Sequence, residues 1–271
     1  MQKFVTQGAQ RIVVAGATGR VGRHVVEVLR AGGQEVVPIS RATGVDVITG
    51  QGLPAALCDA SCIIDVATGP SAEQGPATEF FTTAAGNLHA AAAEAGVGRM
   101  VVVSIIGCDQ FETGYSAAKA EHERAALAGP IPVQIVRAAQ FHEFVPVLMA
   151  WGDRGEVCYV PKMRTQLVSA KTVAESLVYY ATATTWPAEP PSTPYPEIAG
   201  PREESLVEAA TLLAARRGQE VRIEGVNNPD DVQHLEETGG LLPGPHATLA
   251  GPTFAEWLDT ADANSPVPSV A

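Results

Sequence analysis

Positive charge is scarce in this chain: 18 Lys and Arg face 30 Asp and Glu, a formal net charge of −12. A surface of that sign repels a phosphate backbone, which argues against nonspecific nucleic-acid binding while leaving room for a locally basic cofactor pocket. Long apolar runs are missing as well. With no stretch of about 18 uninterrupted apolar residues, no helical membrane span is expected. The opening MQKFVTQGAQR lacks the apolar core of a signal peptide, so the expected compartment is the cytoplasm. Cysteine is sparse and scattered: Cys58, Cys62, Cys108 and Cys158 form no CxxC pair, and His24, His89, His122, His234 and His246 show no metal spacing. Neither a zinc cage nor a disulfide framework is expected, and these five histidines receive no role. No internal repeat is present.

What the chain does have is 271 residues, 46% of them hydrophobic, enough for a sizeable core in one large α/β domain. RIVVA (residues 11–15) is short, apolar and β-branched, and it runs into GATGRVG and then HVVEVLRAGG, whose apolar positions recur at helical spacing. EVVPI (35–39) and CIIDVA (62–67) read as further strands, with GLPAALCDA a short helix between them. A long helix is expected over 78–96, where alanine is dense and Gly-Val-Gly supplies a stop. MVVVSII follows as a strand, then a helix beginning near Tyr115, a strand over 132–138 and a helix near FVPVLMAWG. Strands alternating with helices imply a parallel sheet. After about residue 150 the pattern loosens, with a strand expected at EVCYVP and a helix at KTVAESLVYYAT. Residues 184–196 are proline-dense and read as an exposed loop, and the tail from Asp262 as mobile.

Gly16, Gly19 and Gly22 follow the first strand at GxxGxxG spacing, with Thr18, Arg20 and Val21 between them. Glycines are needed where a turn is tight, where backbone approaches a pyrophosphate and where a helix packs close to a sheet; the phosphate then rests on the helix N-terminus. At the end of the second strand, where a carboxylate would bind the ribose of NAD, the sequence has Ser40 and Arg41. Arg41 could pair with a 2′-phosphate, so NADPH is expected over NADH, with Arg20 a second positive group. The alternative is that both arginines simply face water. Backbone atoms of Ala67, Thr68 and Gly69 are the expected cofactor contacts beyond Asp65, which stands near the end of what counts as the fourth strand and whose carboxylate is expected to tie down neighbouring amides.

Tyr115 and Lys119, four apart in GYSAAKAEHE, share a helix face. An ammonium beside the phenol would lower its pKa from about 10 and ease its work as a proton-transfer group. The bland alternative is a surface pair worth a few tenths of a kcal/mol. Gln140, Phe141 and His142 lie at the carboxyl end of the strand over 132–138, where ligands of such sheets bind, and are expected to shape a substrate pocket without proton chemistry. Trp151, Tyr159 and Met163 suit either an apolar pocket or core packing.

GATGRVG, NLHAAAAEAGVGRMVVVS, GYSAAK and IVRAAQFHEF together resemble an atypical short-chain dehydrogenase/reductase of the NAD(P)H-binding, NmrA-like group, over roughly residues 11–180, and GPTFAEWL resembles the closing segment of some bacterial members. The resemblance implies a Rossmann-type doubly wound parallel sheet with a small C-terminal substrate-side region: a dinucleotide-binding core over about 10–150, substrate-side elements over about 151–261 and the tail 262–271, all one domain. It implies NADPH and a catalytic Ser104, Tyr115 and Lys119, with Lys119 also holding the nicotinamide ribose and Asn87 in support. The expected activity is an oxidoreductase acting on a carbonyl, quinone or activated double bond of a small apolar molecule. Two rivals stay open: a non-catalytic NADP(H)-sensing regulator, and a nucleotide-sugar epimerase or dehydratase, for which little chain remains after residue 180. The expected partners are a small-molecule substrate and at most a second copy of the chain (monomer or homodimer), with no metal, nucleic acid or membrane.

Overall fold

The computed structural model describes residues 9–186 and 193–260. Residues 187–192 of the proline-dense loop and the tail from Asp262 lie outside them. In chain order the elements are β1 (Arg11–Ala15), α1 (Arg20–Ala31), β2 (Glu35–Ile39), α2 (Leu53–Leu57), β3 (Cys62–Asp65), α3 (Gln74–Ala95), β4 (Met100–Ile105), α4 (Gly114–Leu127), β5 (Val133–Ala138), α5 (Val145–Gly152), β6 (Val157–Pro161), β7 (Arg164–Thr165), α6 (Ala170–Thr182), β8 (Glu197–Ala199), β9 (Glu204–Ser205), α7 (Leu206–Arg216), β10 (Arg222–Val226), α8 (Leu235–Thr238), β11 (Thr248–Leu249) and α9 (Phe254–Trp257). Asp65 therefore ends the third strand, Ser104 stands one residue before the end of the fourth and Gln140 follows the fifth, so Asp65 sits one strand earlier than the sequence count.

Seven strands form one parallel sheet in the order β11-β8-β5-β4-β3-β1-β2. Alternation along the strands sends side chains to two faces. Ile12, Val14 and Ile64 join Val25 and Leu29 of α1 and Val173 and Leu177 of α6 on one side. Val13, Ile63 and Val102 join Leu57 of α2, Leu88 of α3 and Ala126 of α4 on the other. Both faces are covered, which is why these strands read as continuous apolar runs. The chain runs one way from β1 to β2 and the other way through β3, β4 and β5, so β1 and β3 flank the switch point of the sheet, at whose carboxyl-end side sheets of this kind take their ligands.

A smaller core joins α5, α7 and α9 to β6 and β10, with Met149, Val160, Leu206, Leu213, Phe254 and Trp257 at its centre. It occupies the region expected on the substrate side. The helix read over 78–96 begins at Gln74, because Pro76 is tolerated in a first turn whose N–H groups have no intrahelical partner. It stops where Gly96 adopts a left-handed conformation, φ 72°. Among the described residues no helix is long and apolar enough to cross a membrane.

Candidate active site at the sheet switch point

The glycine turn joins β1 to α1 and faces the β3 loop directly. Gly16 has φ 79°, and a Cβ there would stand 2.7 Å from Ala67 Cα; at Gly22 it would stand 2.1 Å from Gly16 O. Any side chain at either position would drive backbone into backbone, so the spacing that suggested a phosphate turn is also demanded by close packing. Gly19 is the N-cap of α1 and has no side chain to cap it, which leaves the first-turn N–H groups without a side-chain cap. Thr18 and Gly19 are exposed, whereas the Val21 side chain belongs to the core, so only its backbone can serve a ligand.

Asp65, at the end of β3, is buried and accepts from Ala67 N through Oδ1 at 3.0 Å. That is the backbone tie expected of it, and it commits the Ala67 N–H, leaving Thr68 and Gly69 as the accessible part of the loop. The other oxygen, Oδ2, lies 3.3 Å from His122 Nε2. The pair is an electrostatic contact without hydrogen-bond alignment. His122 Nδ1 accepts from Lys119 Nζ at 2.8 Å, and Nζ also donates to Val103 O at 2.8 Å. A line of polar groups thus runs from the β3 loop through His122 to Lys119.

Phe81 of α3 is the platform beneath this line. Lys119 Nζ lies 4.5 Å from its ring centroid, His122 stacks on it at 4.6 Å, and Tyr115 meets it edge-on at 5.9 Å. The spacing 115, 119, 122 follows one helical face; that periodicity could have singled out His122, which sequence reasoning left without a role, whereas Phe81 had no signal beyond an apolar position.

The expected coupling of Tyr115 to Lys119 takes a different form here. Both side chains lie on the inner face of α4, but the ammonium turns to Val103 O and His122, and no hydrogen bond joins it to the phenol. Burial pushes the Tyr115 phenol up to about 12, with no lowering by an ammonium. Burial lowers Lys119 to about 8, against the pull of Asp65, Cys108 and Glu123. The Tyr115 phenol therefore stays protonated at neutral pH, and its hydroxyl makes no hydrogen bond among the described residues.

Ser104 is 2% exposed, and its hydroxyl lies 3.6 Å from Cys108 Sγ. Cys108 donates onward to Glu123 Oε1 at 3.3 Å, so Ser104 donates to the sulfur. Glu123 takes two bonds from Arg137 of β5, at 2.9 and 2.7 Å, and Arg137 also reaches Asp109 at 3.0 Å. Burial, then the Glu123 carboxylate, push the Cys108 thiol up to about 12, which makes it an uncharged link and not a nucleophile. Ser104 thus sits in an internal network, with its hydroxyl engaged by Cys108.

The outer ends of the site are more varied. Arg41 is exposed in a single 3₁₀ turn directly after β2, beside Ser40, whose N–H donates to Thr43 Oγ1. Arg20 is half-buried; burial lowers its pKa, and the charges acting most on it are Glu143 and Arg23. The carboxylate that acts most on it thus belongs to the turn after β5. Gln140 is half-exposed and Phe141 packs on the main core. His142 departs from its expected place in a substrate pocket: it is fully buried between Phe254 and Trp257, with Nε2 bonded to Pro252 O at 3.1 Å. The apolar residues of α9 draw the imidazole ring into the smaller core. Asn87 donates to Val47 O and Ile48 O at 3.0 and 2.7 Å, tying α3 to the loop before α2 and not to the catalytic face. Met163 packs on the smaller core, while Trp151 and Tyr159 are exposed.

No protein-family model matches the chain, and no curated protein matches it. Solved structures do. The UDP-N-acetylglucosamine 4-epimerase of Bacillus cereus is 17% identical with a TM-score of 0.63, covering 92% of this chain and 93% of that one. A UDP-glucose 4-epimerase of Thermus thermophilus, in complex with NAD, is 16% identical with a TM-score of 0.64, covering 90% and 91%. A dTDP-4-dehydrorhamnose reductase from Bacillus anthracis, in complex with NADP, is 16% identical with a TM-score of 0.67, covering 93% and 98%. At these identities the likeness is one of fold, and the chain has a Rossmann-type α/β fold with a seven-stranded parallel sheet.

Proposed function

We propose that this chain is a nicotinamide-dinucleotide-dependent oxidoreductase of the short-chain dehydrogenase/reductase type, akin to its NmrA-like group. The observation that carries the reading is the meeting, at the sheet switch point, of the Gly16–Gly22 turn and the loop that begins at Ala67, with Lys119 linked to that loop through His122 and Asp65 and Tyr115 one turn away on the same helix face, against Phe81. The fit to a dinucleotide rests on the uncapped first turn of α1 and on the two positions where a Cβ would collide with backbone. The fold neighbours bound to NAD or NADP support a nicotinamide cofactor. Arg41, exposed after β2 where no carboxylate stands, favours NADPH.

When bound, the dinucleotide supplies the hydride to a carbonyl, quinone or activated double bond. The phenol of Tyr115, kept protonated by burial, gives its proton to the oxygen that gains charge. Lys119 holds positive charge behind it. Ser104 takes part in substrate binding only if its hydroxyl turns from Cys108 toward the substrate. The smaller core, with Trp151 of α5 and Tyr159 of β6 exposed on its elements, suits a small apolar substrate. A nucleotide-sugar substrate stays as a second reading, because the chain spans nine-tenths of two epimerases of that class and chain length no longer counts against it.

The test is purified protein with NADPH or NADH against quinones, ketones and nucleotide sugars. Turnover of an apolar carbonyl or quinone is expected, with Tyr115→Phe lowering it by about 10²–10⁴ while cofactor affinity holds. Tight cofactor binding with no turnover on any substrate would identify a sensor. Turnover of nucleotide sugars alone would give the second reading.

A further inference from the structure

A lysine buried to 4% exposure has a problem that the site must solve. Its charge costs several kcal/mol to strip of water unless partners replace that water. The groups facing it are few. Asp65 comes from β3, Tyr115, His122 and Glu123 share α4, Cys108 comes from the turn after β4, and Phe81 of α3 closes the site. His89, also on α3, feels Asp65 but bonds to Ala126 O. The ammonium donates to two acceptors, Val103 O of the backbone and His122 Nδ1, each at 2.8 Å; of the side chains named, only His122 touches it through an acceptor atom, while Asp65 adds its charge without direct contact and lies on the far side of the imidazole.

Both neighbours of the ring dictate the same tautomer. A carboxylate oxygen 3.3 Å from Nε2 favours a proton there, and an ammonium 2.8 Å from Nδ1 requires a lone pair there. We propose that His122 is a positioning residue for Lys119: held by Asp65 with its proton on Nε2, it offers Nδ1 to the ammonium, fixes where that ammonium points and keeps it charged in a buried site. The arrangement also ties the lysine to the cofactor loop, since the same carboxylate holds Ala67 N. Burial and the nearby ammonium keep the ring itself neutral, so it can go on accepting. This rests on the reading of Lys119 as the residue that handles cofactor and charge.

The chain has four lysines, Lys3, Lys119, Lys162 and Lys171, so ¹³Cε-lysine NMR can follow Lys119 alone, on protein without cofactor. His122→Phe keeps the stack on Phe81 and removes the acceptor. The Lys119 midpoint is expected to fall by about one pH unit or more, a tenfold change in proton affinity. His122→Asn, whose Oδ1 stands near the place of Nδ1, is expected to recover at least half of that fall. ¹⁵N-histidine spectra of the unaltered chain should show Nδ1 unprotonated and Nε2–H from pH 6 to 9, a measurement that stands even if a variant fails to fold. A proton on Nδ1, or a Lys119 midpoint unmoved in folded His122→Phe, overturns the proposal. Absent cofactor binding with the expected titration would instead overturn the proposed function alone.

Discussion

Removing Phe81 probes the site at its base. The ring is 1% exposed and carries Lys119, His122 and Tyr115 at once. Phe81→Ala should cost about 3–5 kcal/mol in lost burial and cavity. At roughly 2–4 °C per kcal/mol for a chain of this size, the melting temperature should fall by about 6–20 °C. Phe81→Leu separates filling from aromaticity, since leucine restores most of the volume but offers no π face. A desolvated cation–π contact is worth about 2 kcal/mol, and each ring pair about 0.5–1.5 kcal/mol. Non-additivity within one cluster trims the sum, and Phe81→Leu should cost about 2–4 kcal/mol. Calorimetry or thermal fluorescence reads both variants. In Phe81→Leu, where the π contact is lost but the leucine still excludes water, Lys119 should also titrate below about 8, the value to which burial lowers it. A Phe81→Leu protein melting within about 2 °C of the unaltered chain would refute the reasoning and reduce Phe81 to filler.

Three other outcomes are expected. Gly22→Ala puts a Cβ 2.1 Å from Gly16 O and 2.8 Å from Ala17 Cα; the turn must open, costing about 1–3 kcal/mol, and NADPH affinity by fluorescence titration should drop at least tenfold, an unchanged value telling against the turn as a phosphate cradle. Arg41→Ala should lower the NADP to NAD affinity ratio by about 10–100-fold, the worth of a hydrogen bond to a charged group, without weakening NAD; an unchanged ratio removes the argument for NADPH. His142, which burial lowers to about 4, stays neutral in the folded chain while the unfolded chain protonates it near its ordinary value of about 6.5. The unfolded state thus binds more protons between those values, and stability falls as pH drops through that window. Urea titrations of His142→Phe should show a flatter pH dependence between 4 and 6.5, and the same slope as the unaltered chain would show that other groups set it.

Much of the fold was legible because its causes are local. Continuous β-branched runs announce strands covered on both faces, as in RIVVA and MVVVSI, and Gly96 announces the end of α3 through its left-handed conformation. The glycine turn was legible for a like reason, since backbone contact at Gly16 and Gly22 forbids any side chain. The helical face bearing Tyr115 and Lys119 followed from spacing alone.

What each side chain does on that face was decided by the tertiary structure. Sequence puts Tyr115 and Lys119 one turn apart, but Asp65 from β3 and Phe81 from α3 turn the ammonium inward and leave the phenol to burial alone. Ser104 stands near the end of its strand as expected, yet its hydroxyl goes to Cys108, itself bonded to the Glu123–Arg137 pair. His142 stands at a strand end where ligands often bind, and two aromatic residues from the far end of the described chain pull it into a core. Backbone constraints are written in neighbouring residues, so the sequence by itself determined the sheet, the turn and the helix face. Charge and side-chain direction depend on whichever groups the fold brings near, and only the tertiary structure could choose them.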